Sequence, residues 1–240
     1  MATGHYARAT RDDVSRRPEL RRAADARKDQ SYFLYGLTRD ELAAIQFPLG
    51  DLTKVRTREL AAGFGFDLAE YRESQDFCFV GEEHYGAFLR DRFENRFAEG
   101  RIVDPEGRVV GRHHGIHLFT FGQRRGLGIA AGKPLYVLRI EPETNTVVVG
   151  PREATFRRSF IVRSLNWTSI DPPTAAFAAD VKVRAAHHAA PATVTPRSDG
   201  SVAITFADAQ HAITPGQAAV FYREDLVMGG GTIDVVEGPS

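Results

Sequence analysis

Apolar residues recur along the chain with two different periods, and the change between them divides it. Tyr85, Phe88, Leu89, Phe93 and Phe97 follow one another at three- and four-residue steps, with Arg90, Asp91 and Glu94 between them, which predicts an amphipathic helix over 82–97. Two shorter helices are expected before it. Thr38-Arg-Asp-Glu41 is a capping box, in which the Thr hydroxyl and the Glu carboxylate satisfy the first amides of a helix running to about Gln46, and Phe47-Pro48-Leu49-Gly50 stops it. The other should run from about Val55 to Ala62, ended by Gly63 and Gly65. From Gly100 onward β-branched runs alternate with turn signals: Asp104–Gly107, Glu141–Asn145, Asp171–Pro173, Ser198–Gly200 and Thr214–Gly216. This spacing predicts hairpins, with the last eighty or so residues forming a small β-barrel or sandwich. At the other end, Met1–Arg8 reads as the close of a strand with nothing before it to pair with. The Arg-rich stretch up to about Arg27 reads as a mobile connection or a hairpin.

Composition narrows the setting. With 42% hydrophobic and 26% charged residues the 240-residue chain is too apolar for wholesale disorder. A single cysteine, Cys78, excludes an internal disulfide framework and a zinc site built of several thiolates. There is no apolar run long enough to span a bilayer, and the opening residues lack a secretory apolar core, so a reduced, cytoplasmic setting is expected. Lys+Arg and Asp+Glu balance at 31 each, yet unevenly: residues 107–128 hold four Arg and three His and no acid. All but four of the basic residues are arginines, which suits a phosphate-binding surface and equally a genome rich in G and C.

Three stretches offer chemistry. Cys78 stands between Phe77 and Phe79, with Glu73 and Asp76 close by, so it reads either as a small core residue or as a nucleophile whose thiolate must be stabilised by cations brought in through folding. In Gly111-Arg-His-His-Gly-Ile-His117, the three histidines could ligate a metal, but no acid or thiol nearby completes a set, and no metal-ligand group is identified. The continuation, Gly122-Gln-Arg-Arg-Gly-Leu-Gly128, reads as a Gly-rich turn after a strand. It either offers Gln123, Arg124 and Arg125 to a polyanion or simply solvates its arginines. His187-His188 reads as an exposed strand edge, and Gly229–Gly231 as a bulge where backbones approach closely.

Taken in order, Gly4-His5-Tyr6, Lys28-Asp-Gln-Ser-Tyr-Phe-Leu34, Phe47-Pro-Leu-Gly50, Ser74-Gln-Asp-Phe-Cys-Phe-Val-Gly81, Gly122–Gly128, Pro215-Gly-Gln-Ala218 and Gly229–Gly231 resemble the tRNA-specific 2-thiouridylase family, bacterial enzymes that place sulfur on the wobble uridine of certain tRNAs. The resemblance covers essentially the whole chain. It implies an α/β remnant plus mostly β structure: residues 1–81 as the C-terminal part of a Rossmann-like ATP-pyrophosphatase domain, 82–152 as a small central mixed domain, and 153–240 as a C-terminal β-barrel like one in translation factors. It further implies that ATP adenylates the uridine 2-carbonyl oxygen, that a cysteine persulfide, loaded by a sulfur-relay donor protein, supplies the sulfur, and that a second cysteine completes the exchange.

Residue by residue, the resemblance makes Cys78 the persulfide carrier, puts Gly4 against the adenine nucleotide, and sets His5, Lys28, Asp29, Gln30, Arg184 and Gln217 against tRNA. At Ala185 the family often has an aromatic residue. These 240 residues hold no Ser-Gly-Gly-Val-Asp-Ser loop for the ATP phosphates and no second cysteine. The expectation is therefore an N-terminally truncated form, inactive alone unless a separate chain supplies the ATP-binding half. The alternative is a non-catalytic tRNA-binding module or a gene remnant.

Overall fold

In the computed structural model, residues 1–66, 98–129 and 131–236 are described. Cys78 and the helix expected over 82–97 lie outside them.

Two hairpin strands open the fold, β1 (Ala7–Arg11) and β2 (Pro18–Arg22), paired antiparallel with Ala7 opposite Arg22. The turn between them is closed by Asp12, whose Oδ1 accepts from the Val14 and Ser15 amides at 3.2 and 2.7 Å. Met1–Arg8 therefore does find partners: the chain doubles back on itself, and Ala2 bridges Gln46. A single helical turn α1 (Ser31–Leu34), then α2 (Arg39–Ala44) and α3 (Lys54–Gly63) follow. The expected capping box starts α2, with the Glu41 amide donating to Thr38 Oγ1 at 3.3 Å and the Thr38 amide donating to Glu41 Oε2 at 2.8 Å.

The central strands β3 (Gly100–Val103), β4 (Val109–His113), β5 (Tyr136–Glu141) and β6 (Thr146–Gly150) form one sheet in the order β4-β3-β6-β5. Of the five expected hairpin turns, Asp104–Gly107, Glu141–Asn145 and, further along, Ser198–Gly200 join paired strands; Asp171–Pro173 and Thr214–Gly216 do not, because the strands on either side of them pair with other strands of the barrel. Ile102, Val137, Val147 and Val149 fill the inner face of the central sheet together with Phe119 and Leu127 from the long β4–β5 connection.

Six strands complete the chain: β7 (Phe156–Asn166), β8 (Phe177–Lys182), β9 (Ala190–Pro196), β10 (Val202–His211), β11 (Ala218–Arg223) and β12 (Leu226–Val236). Their order β12-β11-β8-β9-β10-β7 is closed by pairing of β12 with β7, so the choice left open between barrel and sandwich resolves to a closed barrel. In β9 and the first half of β10 buried and exposed positions alternate, and Phe160, Val194, Ile204, Phe221 and Ile233 pack inside. Each such side chain contributes roughly 1.5–3 kcal/mol on burial.

Strand β11 is different. Ala219 and Phe221 face the barrel interior, whereas Val220 and Tyr222 face a second core made of Ala7, Leu20, Tyr32, Leu42, Phe47 and Val227. A strand covered on both sides must be apolar at consecutive positions, which is why Ala-Ala-Val-Phe-Tyr reads as an unbroken run. Polar ties fasten the same contact. Asn166 Nδ2 donates to the carbonyls of Tyr35 and Leu37 at 2.7 and 2.9 Å, and Asp225 accepts from Arg8 and Arg21 at 2.8 and 2.7 Å. The N-terminal hairpin and helices are thereby docked on the outside of the barrel wall.

Candidate nucleic-acid interface

Folding places His5 next to Gln30, because the segment around Tyr6 lies along residues 28–30. The Gln30 amide donates to the Tyr6 carbonyl at 2.8 Å, and the Tyr6 amide donates back to Gln30 Oε1 at 2.9 Å, a strand-like exchange completed by a side chain. Gly4 and His5 are exposed at the head of this segment, with His5 Nδ1 2.7 Å from Thr3 Oγ1. Asp29 is engaged inward. Its Oδ1 accepts from the Ala23 and Ser31 amides, both at 3.1 Å, and its Oδ2 from Ser31 Oγ at 2.9 Å. Of the triplet Lys28-Asp29-Gln30, then, the second and third side chains hold the segment in shape. The bend before it rests on Asp25, which accepts from the Lys54 and Arg27 amides at 3.0 and 3.1 Å; those amides, Lys54 first, hold its carboxyl below the ordinary carboxylate range.

From α1 the surface continues onto the barrel through aromatic and basic groups. Tyr32 donates to the Ala218 carbonyl at 3.0 Å, and burial pushes its hydroxyl up to about 12. The Lys182 ammonium sits 5.4 Å from the Tyr32 ring centre, and the Arg22 guanidinium stacks 3.9 Å from the Tyr222 ring centre. Burial holds Lys182 below its ordinary value, with Asp29 pulling it up and Arg22 pushing it down. Lys182 was not singled out from the sequence, although it stands two residues before Arg184, the spacing that puts neighbours on one side of an extended segment.

Arg184 belongs to two parts of the fold at once. Its Nη2 donates to the Phe121 carbonyl at 2.8 Å and to Thr214 Oγ1 at 2.6 Å. The first acceptor lies in the β4–β5 connection of the central sheet and the second in the β10–β11 turn of the barrel. Gly122, next to Phe121, is seated against Ala212 with a φ of 78°, and a Cβ there would collide with the Ala212 methyl group. Gln217 is exposed in the same β10–β11 turn, its amide donating to the Thr214 carbonyl at 3.2 Å. Burial holds Arg184 below the ordinary guanidinium value, with Tyr32 opposing.

The Gly-rich segment is braced by Gln123 rather than presenting it. Gln123 Oε1 accepts from the Thr120 amide and its Nε2 donates to the Arg125 carbonyl, both at 2.9 Å, while Arg124 and Arg125 project into solvent. His113 is enclosed: its Nδ1 accepts from the Gly115 amide and its Nε2 reaches the Asn145 carbonyl, both at 3.2 Å, so both ring nitrogens are committed to backbone. Among the described residues no group of three or more His, Cys, Asp or Glu side chains converges as a metal site. His187, expected on a strand edge, lies instead in the turn between β8 and β9, its ring 6.5 Å from that of His211; the strand ends at Lys182 because Arg184 turns toward the central sheet.

Three family models match in succession: one described as a tRNA methyl transferase HUP domain over residues 1–82, one as a tRNA methyl transferase PRC-barrel domain over 86–151, and one as an aminomethyltransferase β-barrel domain over 157–233. A tRNA-specific 2-thiouridylase MnmA of Synechococcus sp. is 50% identical over 239 residues, covering 99% of this chain and 66% of the relative. The chain belongs to the tRNA-specific 2-thiouridylase family. A second 2-thiouridylase, from Chlorobium luteolum, is 46% identical over 98% of the chain and 65% of its own length, and one from Synechocystis sp. is 48% identical over 97% and 65%. The chain thus spans just under two thirds of the length of these thiouridylases. Among the described residues no helix is long and apolar enough to cross a membrane.

Proposed function

We propose that this chain is the tRNA-docking and sulfur-carrying part of a tRNA-uridine 2-sulfurtransferase. The observation that carries the reading is the match to 2-thiouridylases at 46–50% identity along nearly all of the chain. Residues 1–81 form the end of the ATP-pyrophosphatase domain with Gly4 beside the nucleotide, 82–152 the central domain, and 153–240 the barrel. ATP supplies adenylation of the uridine 2-carbonyl oxygen, so that AMP leaves in place of bare oxygen. Cys78, charged as a persulfide by a relay protein in the cytoplasm, presents its outer sulfur to the adenylated C2 carbon, from which AMP departs. A second cysteine, supplied with the ATP-binding half, attacks the inner sulfur, breaking the S–S bond and leaving a disulfide with Cys78 that cellular thiols must reduce. The ATP-binding half is supplied outside these 240 residues.

The chain's own described residues bind and orient the RNA. Arg124 and Arg125 stand in solvent on a loop that Gln123 makes rigid, which favours phosphate contact over a floppy turn. His5 and Lys28 flank the Tyr6–Gln30 pairing, and Gln217 lies on the turn to which Arg184 is tied. Two measurements test the reading. Incubation with a sulfur-relay protein should add one sulfur atom to Cys78 by intact mass, and an inert thiol would sink the catalytic part. Replacing Arg124 and Arg125 with Ala should reduce the slope of log K against log salt for a tRNA by about 0.7–0.9 per lost phosphate contact. An unchanged slope would leave the two arginines without a place on the RNA.

A further inference from the structure

Behind the arginine loop, the β4–β5 connection folds over a cavity of about 430 Å³ lined by Arg124, Leu127, Ile129, Ala131, Lys133 and Leu135 among others. Its floor is apolar: Leu127 belongs to the core of the central sheet, and Ile129 and Leu135 pack against that core. Its rim is cationic. Neither Arg124 nor Lys133 has a hydrogen-bond or ion-pair partner among the described residues, and no acid lines the cavity. In the same sheet Arg108 is matched with Asp104 at 2.6 Å and Arg139 with Glu141 at 2.7 Å, whereas Arg101 and Arg112, on the strands themselves, are like the rim cations unmatched among the described residues. Two uncompensated cations over a hydrocarbon floor, in a space within the usual volume range of ligand pockets, select a ligand with one flat apolar face and an anionic end.

We infer that this cavity is a subsite for a single unstacked nucleotide of the bound RNA, its base on Leu127, Ile129 and Leu135 and its phosphate between Arg124 and Lys133. The inference rests on the RNA-docking reading above and adds to it a base-holding pocket and Lys133. Gly126 and Gly128 leave the backbone bare along the rim, so a strand can lie close to it. Contact is through faces and phosphate, so the pocket accepts a splayed-out nucleotide without reading its identity.

The test uses the full chain with an in vitro transcribed tRNA, titrated over a salt series and probed chemically at each nucleotide. Lys133→Gln should lower the magnitude of the salt slope by about 0.7–0.9. Ala131→Leu fills the cavity without touching charge; it should weaken binding by roughly fivefold or more at unchanged slope and restore the reactivity of one nucleotide protected by the parent chain. Both positions are exposed, and an unchanged thermal midpoint verifies that the variants fold. If the parent chain binds tRNA but both variants match it in affinity, slope and protection, the subsite is refuted while the docking reading stands. If the parent chain does not bind tRNA at all, both fail together.

Discussion

Replacing Arg184 with Met should unfasten the barrel from the central sheet. One guanidinium nitrogen serves two acceptors, the Phe121 carbonyl at 2.8 Å and Thr214 Oγ1 at 2.6 Å, on elements that belong to different sheets. Hydrogen bonds from a charged donor are each worth about 1.5–3 kcal/mol. Against that stands the cost of holding a half-buried cation whose Nε has no partner, the same burial that keeps Arg184 below its ordinary value. Methionine matches the length of the stem and removes both terms, so the net loss should be about 1–2 kcal/mol. Thr214→Val removes one acceptor and leaves the charge in place, and should cost about 1 kcal/mol.

The assay is urea unfolding of the two single variants and the double variant. Because the residues share a bond, their effects should fall short of additivity by about 0.5 kcal/mol or more. The opposite pattern would refute the latch: Thr214→Val silent, the cycle additive, and Arg184→Met acting only by lowering tRNA affinity and its salt slope. Arg184 would then be an RNA ligand whose internal contacts carry no energy.

Two further outcomes follow from the same region and from the barrel wall. His211 lies between Tyr136 and Phe156, with ring centres at 5.8 and 5.6 Å and its Nε2 buried without a partner among the described residues; burial first, then Arg152, His187 and Arg184, hold it below its ordinary value. The neighbouring His187 is lowered too, by burial, Arg184, Lys182 and His188. A base that is harder to protonate when folded takes up protons more readily when unfolded, so stability should be full above the unfolded value of about 6.5 and decline as pH falls below it. His211→Phe should flatten that decline in thermal melts between about pH 7 and 5, and an undiminished slope would acquit the imidazole. At Gly229 a Cβ would run into the Asn166 carbonyl oxygen and lie 3.0 Å from the Trp167 Cα, both backbone and unable to yield cheaply. Gly229→Ala should therefore lose about 1–3 kcal/mol in urea unfolding, and a neutral result would mean that the wall of the barrel shifts freely there.

Sequence alone was sufficient wherever the governing interactions lie within a few residues of one another. The Thr38–Glu41 capping box, the helix before Gly63 and the hairpin turns at Asp104–Gly107, Glu141–Asn145 and Ser198–Gly200 are short-range patterns, set by amide capping and backbone angles, whereas Asp171–Pro173 and Thr214–Gly216 join strands whose partners come from elsewhere in the chain. The ordered motifs from Gly4 to Gly231 likewise sufficed to suggest the family. What those patterns leave undetermined is who meets whom at long range. Pairing of β12 with β7 closes the barrel, and the second face of β11 is covered by Leu20, Tyr32 and Leu42, residues more than 170 positions away. The same holds for the site. The family resemblance implied Asp29, Gln30 and Arg184 as contacts for RNA, and only the folded chain shows Asp29 clasping the Ala23 and Ser31 amides, Gln30 paired with Tyr6, and Arg184 spanning from Phe121 to Thr214. A polar side chain that will be taken from water must find its partner wherever the fold brings one, and that partner is a property of three-dimensional packing which local periodicity does not encode.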